Sequence, residues 1–278
     1  MRAAALFVVA SAAFAQTGQP NVSNARFETR AFSGDLSSAI QAAAPAWFGY
    51  AIKTARRDDQ SCCWNGTGSC GCALEGRSTA ITGGGTSKGP IQLEGSDSAA
   101  VLFRVANNAV EKVRLFSISC PLDAGGLPFI WITGVPSNAS VSYLQKLVQT
   151  DGARRVTDGA LFAMSQHEGS EALDVLIQMA KTDASPHVRG QALFWLAQKA
   201  GQRASAAITN AIENDPDTEV KKRAVFALSQ LPKDEGVPKL IDVARTQRNR
   251  EVRKQAFFWL GQSKDPRALA FIEDVLTK

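Results

Sequence analysis

Histidine is almost absent from this 278-residue chain, since His167 and His187 are its only two and both lie in the C-terminal half. A Ser-His-Asp triad or a histidine-bearing zinc hydrolase centre therefore cannot be built from the N-terminal half alone. The glycine-rich stretch from Thr82 to Gly89 also lacks the G-K-[ST] order of a phosphate loop. We therefore predict no enzyme activity, no cofactor and no metal.

Long hydrophobic runs are missing too, because no stretch approaches the roughly 20 apolar residues of a transmembrane helix. Residues 1–15 instead have the pattern of a secretory signal peptide, with Arg2, a short apolar run and the cleavage pattern Ala13-Phe14-Ala15. No cysteine follows to carry a lipoprotein anchor. We expect a mature chain that begins near Gln16, is secreted or periplasmic, and does not insert into a membrane.

Charge of one sign is not concentrated anywhere. The formal net charge is +5, and the counts of basic and acidic residues are 10 and 9 in residues 16–135 and 20 and 17 in residues 136–278. A nucleic-acid binder would normally carry a basic stripe. Nucleic acid is therefore not an expected partner.

The C-terminal half contains an internal repeat. Segments that begin at Val156, Val188, Val220 and Val252 read VTDGALFAMSQ, VRGQALFWLAQ, VKKRAVFALSQ and VRKQAFFWLGQ, each 32 residues after the last. A fixed period of this length is typical of stacked supersecondary units. We predict a solenoid over residues 136–278.

Each repeat is predicted to be a pair of helices. The apolar spacing within each segment is that of an amphipathic first helix. A second helix keeps the same register, and its apolar positions are Leu144, Leu176, Ile208, Leu240 and Ile272. The segment from Ser137 to Thr150 then corresponds to the second helix of a leading half-repeat, so that nine helices are expected.

The pattern D-x-x-x-x-V-[RK]-x-x-A-x-F-x-L-x-Q resembles the short HEAT-like repeats first named in phycobilisome lyases. The resemblance covers about half of the chain. It implies right-handed stacking of helix hairpins, with the second helices lining a concave face, and it does not imply one particular activity. Proteins of this kind usually bind other macromolecules, so an unidentified protein is the expected partner.

Several residue types recur along the first helices. The repeated Phe is expected in the core, Trp195 and Trp259 between repeats, and the repeated Gln in half-buried bonds to turn backbone. Charged residues also recur at 32-residue steps in two sets, which we call charged ladders. We expect the two ladders to pair a loop with the neighbouring helix, and the alternative is a basic binding ridge. Their members are Arg189, Lys221 and Arg253 on one side and Asp151, Asp183 and Asp215 on the other.

The second helices carry the best candidate binding residues, on one helical face. The alternative is an ordinary solvated surface. One ladder contains Lys146, Gln178, Asn210, Asp242 and Asp274, and the other contains Gln149, Lys181, Glu213, Arg245 and Thr277.

Residues 16–135 lack the repeat and are predicted to form a small, mostly β domain, which makes the whole chain α+β. A helix is predicted from Leu36 to Ala44 with Asp35 as its N-cap, and Asn107-Asn108 as a hairpin turn. The predicted strands are Trp47 to Thr54, Pro90 to Glu94, Ala100 to Ala106, Val110 to Ser119 and Phe129 to Ile132.

All five cysteines lie in the N-terminal half, at Cys62, Cys63, Cys70, Cys72 and Cys120. In an exported chain, structural disulfides that staple the loop from Cys62 to Cys72 and tie it to Cys120 are the favoured interpretation. A thiolate metal site and a redox pair at Cys70-Gly71-Cys72 stay open. We thus predict an interaction or scaffolding module, with a thiol-redox or metal-binding protein that docks its substrate on the solenoid as the alternative.

Overall fold

The structure is a computed structural model that describes residues 18–54, 62–63, 71–76, 98–150, 153–199 and 202–277. Four predicted features lie outside these residues, namely the signal peptide, the strand from Pro90 to Glu94, Cys70 and Asp151.

Two β-sheets occupy the N-terminal half of the described chain. The strands are β1 Val22–Ser23, β2 Arg26–Ala31, β3 Ala46–Lys53, β4 Cys72–Ala73, β5 Ser98–Ala106, β6 Ala109–Ser117, β7 Leu122–Asp123 and β8 Pro128–Thr133. Five of them form a mixed sheet in the order β2-β8-β3-β5-β6, and three short ones form a parallel sheet in the order β1-β7-β4. The chain is therefore α+β, as predicted.

The β5-β6 hairpin confirms the predicted turn. Asn107 and Asn108 have φ of 52° and 57°, and Ala106 pairs with Ala109. Positive φ at both central residues is the geometry of a type I′ turn, which asparagine tolerates because its short polar side chain bonds locally.

The helix α1 begins where predicted but is shorter. It spans Leu36–Ala39, and the Asp35 carboxylate accepts hydrogen bonds from the backbone N–H groups of Ser37 and Ser38. The helix does not reach Ala44, and the carbonyls of Ala42 and Ala43 accept hydrogen bonds from the backbone N–H groups of the hairpin turn. A tertiary contact thus replaces the last predicted turn of this helix.

The central strands β3, β5 and β8 of the larger sheet are buried on both faces. On one face Phe48, Tyr50 and Phe103 belong to the same core as the helices. On the other, Trp47 and Trp131 pack in a separate core that contains the described cysteines. Successive side chains of a strand point to opposite faces, so β3 contributes to both cores.

The C-terminal half is a row of helix hairpins, and its nine helices within the described residues match the predicted number. Their bounds are α2 Ser137–Gln149, α3 Arg154–Gln166, α4 Glu171–Thr182, α5 Pro186–Gln198, α6 Gln202–Asn214, α7 Thr218–Ser229, α8 Lys233–Thr246, α9 Arg250–Gln262 and α10 Pro266–Leu276. The first helices are α3, α5, α7 and α9, and the second helices are α2, α4, α6, α8 and α10.

The first helices share an N-cap that recurs at the repeat period. Ser185, Asp217 and Asn249 each accept a hydrogen bond from the backbone N–H group three residues later. The caps satisfy donors that the first turn of a helix leaves unpaired. The first helices α5, α7 and α9 therefore each begin with a local signal, whereas α3 follows Ala153 without a side-chain cap.

The charged ladders pair in only one step among the described residues. Arg189 donates to both carboxylate oxygens of Asp215 at 2.7 and 3.0 Å, and both side chains are buried. In the next repeat Gln247 occupies the position of Asp215, and Lys221, which corresponds to Arg189, donates to the carbonyl of Glu213 instead. The interpretation as loop-to-helix pairing is confirmed at Arg189 and Asp215 but not along the whole ladder.

The aromatic prediction was partly wrong. The repeated Phe is half-buried at Phe162, Phe194 and Phe226, and Phe258 is 54% exposed. The rings contact one another from repeat to repeat, for example Phe162 with Trp195 at 4.9 Å between centroids. These rings line the outer side of the first helices because the buried positions there belong to smaller residues such as Ala160 and Ala192.

The repeated Gln also differs from the prediction. Gln166 and Gln230 each donate to the hydroxyl of the preceding serine rather than to turn backbone, and Gln230 and Gln262 are exposed. Each of these serine hydroxyls in turn donates to the backbone carbonyl three residues before it, so the glutamine amide adds a second hydrogen bond at the end of the helix.

The larger sheet packs directly against α3 of the solenoid. A Cβ at Gly159 of α3 would lie 2.5 Å from the carbonyl oxygen of Val113 on β6, so only glycine allows this approach. Arg155 donates to the carbonyl of Glu111 beside it. The sheet and the solenoid are therefore in backbone-level contact.

Candidate functional site

The predicted binding residues lie on the surface of the second helices. All members of the two ladders are exposed. They are Lys146 and Gln149 on α2, Gln178 and Lys181 on α4, Asn210 and Glu213 on α6, Asp242 and Arg245 on α8, and Asp274 on α10 with Thr277 directly after its end. The residues that the sequence grouped by period are thus available to a partner.

Some ladder residues at the start of the solenoid form hydrogen bonds within the molecule. Lys146 donates to the hydroxyl of Ser37 at 2.9 Å, which ties α2 to α1. Gln178 donates to Thr182 of its own helix. The first steps of the ladder therefore already use hydrogen-bonding capacity inside the molecule.

The last steps of the ladders surround a groove between α8 and α10. Its volume is about 560 Å³. It is lined by Pro238, Ile241, Asp242, Arg245, Arg267, Ala270, Phe271 and Asp274. Three of the predicted ladder residues thus come together with an apolar floor that the sequence did not reveal.

The groove combines both signs of charge with an aromatic ring. The Arg245 guanidinium lies over the Phe271 ring, 5.0 Å from its centroid, in a cation–π contact. Arg267 donates to Asp265 and to the carbonyl of Lys233, which holds it at the edge of the groove. Hydrogen bonds from Arg267 lower the pKa of Asp265 to about 2, so this pair is charged at neutral pH.

A chain of buried polar side chains connects the sheet to the solenoid. Tyr50 on β3 and Ser140 on α2 are hydrogen-bonded at 2.8 Å, and Ser140 contacts His167 Nε2 at 3.0 Å. All three side chains are fully buried. Burial, and to a lesser extent the Lys199 ammonium, lowers the pKa of His167 to about 4. This constellation has the role of a structural link, because solvent does not reach it.

The cysteines form a compact group. Among the described ones, disulfides join Cys62 to Cys120 and Cys63 to Cys72. The first bond links the predicted loop to Cys120, as expected. The proposed redox pair of Cys70 with Cys72 is wrong in one respect, because Cys72 is already bonded to Cys63, and Cys70 lies outside the described residues.

Sequence reasoning missed the groove for an identifiable reason. Phe271 and Ile241 belong to the apolar stripes of their own helices, which by themselves predict only core. Two exposed charges, Asp242 and Arg245, were found by their repeat register. Two further apolar residues of α10, Leu269 and Leu276, are exposed beside the groove.

No helix in the described part of the chain combines the length and the hydropathy that crossing a bilayer requires.

A family model for HEAT repeats matches residues 205–278. Among solved structures, human deoxyhypusine hydroxylase in complex with glycerol aligns at 19% identity with a TM-score of 0.37, over 45% of this chain and 43% of that chain. The complex of CpcE and CpcF of phycocyanin lyase from Nostoc sp. PCC7120 aligns at 16% identity with a TM-score of 0.40, over 51% of this chain and 91% of that chain. No curated protein matches the chain.

The fold therefore defines an α-solenoid of helix hairpins that is preceded by two β-sheets. Over residues 205–278 the hairpins are similar to HEAT repeats. The chain spans less than half the length of the hydroxylase chain with which it aligns.

Proposed function

We propose that the protein is an exported interaction module that binds a protein partner along its second helices, without catalysis. The observation that carries this proposal is the groove between α8 and α10, where Asp242, Arg245 and Asp274 surround an apolar floor. An apolar pocket with a charged rim is the usual composition of an anchor site in a protein interface.

The chemistry of the groove supports a peptide-like occupant. Its floor can bury one or two apolar side chains, and its rim offers both a carboxylate and a guanidinium. A protein segment that carries an apolar residue between charged residues of both signs is complementary to this arrangement.

Export is supported by the cysteines as well as by the predicted signal peptide. Disulfides persist in oxidising compartments and are rare in the cytosol. The buried bond between Cys62 and Cys120 ties residues 58 positions apart. The proposed location is therefore the periplasm or the cell exterior, and N-terminal sequencing of the mature protein is expected to begin near Gln16.

Photo-crosslinking tests the docking surface. A crosslinking residue replaces Asp242, and a control replaces Lys222, which is partly exposed on the first helix α7. Both proteins are produced in the native compartment, and crosslinked proteins are identified by mass spectrometry. We expect one partner at position 242 that is absent at position 222.

The affinity of that partner is then measured with purified variants. We expect Arg245→Glu to weaken binding at least about tenfold, or roughly 1.4 kcal/mol. Arg248→Glu makes the same charge change in the exposed loop after α8 and is expected to leave the affinity unchanged. Equal affinities for Arg245→Glu and the wild type, with thermal unfolding unchanged, would rule out the groove as the docking site.

A further inference from the structure

The two disulfides lie side by side in the core behind the larger sheet. Cys72 Sγ and Cys120 Sγ, which belong to different disulfides, are only 3.8 Å apart. The sulfur atoms of Cys62, Cys72 and Cys120 all lie within 4.8 Å of one another. A thiolate formed at Cys120 would therefore already be in contact with the sulfur of the second disulfide.

Backbone hydrogen bonds hold this arrangement in place. Cys72 pairs with Leu122 in the parallel β4-β7 ladder, and its N–H donates to the carbonyl of Pro121. The Cys63 N–H donates to Cys72 Sγ at 2.8 Å. The contact between the two disulfides thus follows from the strand register and does not depend on one flexible side chain.

We propose that Cys62, Cys63, Cys72 and Cys120 form a thiol–disulfide exchange site in which Cys72 bonds alternately to Cys63 and to Cys120. The substrate is a dithiol, either a small molecule or a protein. This activity is independent of the groove on the second helices, and it uses only the disulfides that the chain already contains.

The exchange begins at Cys62, the most exposed of the four at 9%. A thiolate of the dithiol attacks Cys62 Sγ and forms a mixed disulfide, and the electron pair of the Cys62–Cys120 bond goes to Cys120 Sγ. The Cys120 thiolate attacks Cys72 Sγ, which forms the Cys72–Cys120 bond and expels Cys63 as a thiolate. Exchange through successive thiolate attacks of this kind is the general mechanism of disulfide rearrangement.

The second thiol of the substrate then completes the oxidation of the substrate. It attacks the substrate sulfur that is bonded to Cys62, which releases the oxidised substrate and leaves Cys62 as a thiolate. The two substrate protons end on Cys62 and Cys63. In total one dithiol is oxidised to a disulfide, and two protein disulfides become one disulfide and two thiols.

Partial reduction tests the exchange on the folded, full mature chain. Oxidised protein is treated under native conditions with one equivalent of dithiothreitol, quenched with acid, and its thiols are alkylated before peptide mapping. We expect most singly reduced protein to contain the Cys72–Cys120 bond with Cys62 and Cys63 alkylated. Labels on Cys62 and Cys120, with Cys63–Cys72 retained, would overturn the proposal, as would reduction that requires unfolding.

Two variants isolate the exchange step without added reductant. Cys62→Ser leaves the Cys120 thiol opposite the Cys63–Cys72 disulfide, and we expect the Cys72–Cys120 bond to form and Cys63 to be alkylated. Cys72→Ser is the control, in which we expect the Cys62–Cys120 bond to persist and Cys63 to be alkylated. Both carry Cys70→Ser, so that the fifth cysteine takes no part. If Cys62→Ser retains Cys63–Cys72 in full, the proposal fails; if it does not fold, partial reduction of the wild type decides.

Discussion

At the scale of single residues, the ion pairs differ in how far they are buried. Arg189 and Asp215 form a two-point ion pair away from solvent, and loss of one partner from such a pair costs about 3–5 kcal/mol. The exposed pair of Arg30 with Glu28 is geometrically similar but contributes little, because water screens it. The burial of an ion pair, more than the number of ion pairs, therefore decides how much charged residues contribute to stability here.

The buried histidine makes stability depend on pH. The pKa of His167 is lowered from 6.5 to about 4, mainly by burial, so the unfolded chain binds its proton first as the pH falls. The stabilisation from the neutral ring is complete above pH 6.5 and is lost between pH 6.5 and about 4. We expect a loss of about 2 kcal/mol between pH 7 and pH 5, measured by urea unfolding.

His167→Gln is the matching variant, because an amide can keep a hydrogen bond to Ser140 but does not titrate. The variant is expected to be less stable at pH 7, and its unfolding free energy should change by about 2 kcal/mol less than that of the wild type between pH 7 and pH 5. Parallel pH profiles for the two proteins would show that His167 is not the responsible group.

At the scale of elements, the helices are specified by signals that repeat with the period. Each first helix from α5 to α9 begins at a polar cap, and each second helix presents a small or apolar stripe to the core. These signals are local, so each hairpin can be recognised separately. The hairpins still need one another, since a single pair cannot bury its apolar face.

Removal of one cap tests its contribution. We expect Asn249→Ala to destabilise the protein by about 1 kcal/mol, because the N–H groups of Glu251 and Val252 lose their acceptor. In differential scanning calorimetry this corresponds to a fall in Tm of about 2–4 °C. Asn249→Ser keeps an oxygen acceptor, as Ser185 does in an earlier repeat, and is expected to lose less. Equal losses for the two variants would contradict a capping role.

At the scale of the whole molecule, the decisive feature is the contact between the sheet and the solenoid. The larger sheet separates the cysteine core from the helix core, and α3 touches β6 at Gly159. The buried chain from Tyr50 to His167 crosses the same junction. The two halves of the chain are therefore packed as one body at this place, and not merely joined by a linker.

A methyl group at Gly159 should disrupt that contact. Glycine to alanine in an exposed helix normally stabilises by up to about 1 kcal/mol. At Gly159 the new Cβ would meet the Val113 backbone at 2.5 Å, and we expect a loss of about 1–3 kcal/mol in urea unfolding. Gly261→Ala on α9 has open space around it and is the control, expected to be neutral or stabilising. Stabilisation by both substitutions would mean that the junction is not tightly packed.

The amino-acid sequence by itself determined the features that depend on neighbours along the chain. The 32-residue period, the helix pairs, the Asp35 cap and the Asn107-Asn108 turn follow from short-range spacing and backbone preferences, and the structure contains all of them. The ladder residues could also be placed on one surface, because their register follows from the repeat. What that surface binds does not follow from the register.

Only the tertiary structure decided the features that join distant segments. The parallel pairing of β2 with β8 could not be predicted from RFETRA, because most of that strand is exposed and lacks apolar alternation. The disulfide partners, the incomplete burial of the repeated Phe and the groove between α8 and α10 likewise depend on which surfaces meet. Such contacts depend on how residues that are distant in the sequence are buried together in the whole fold, so the local sequence does not predict them.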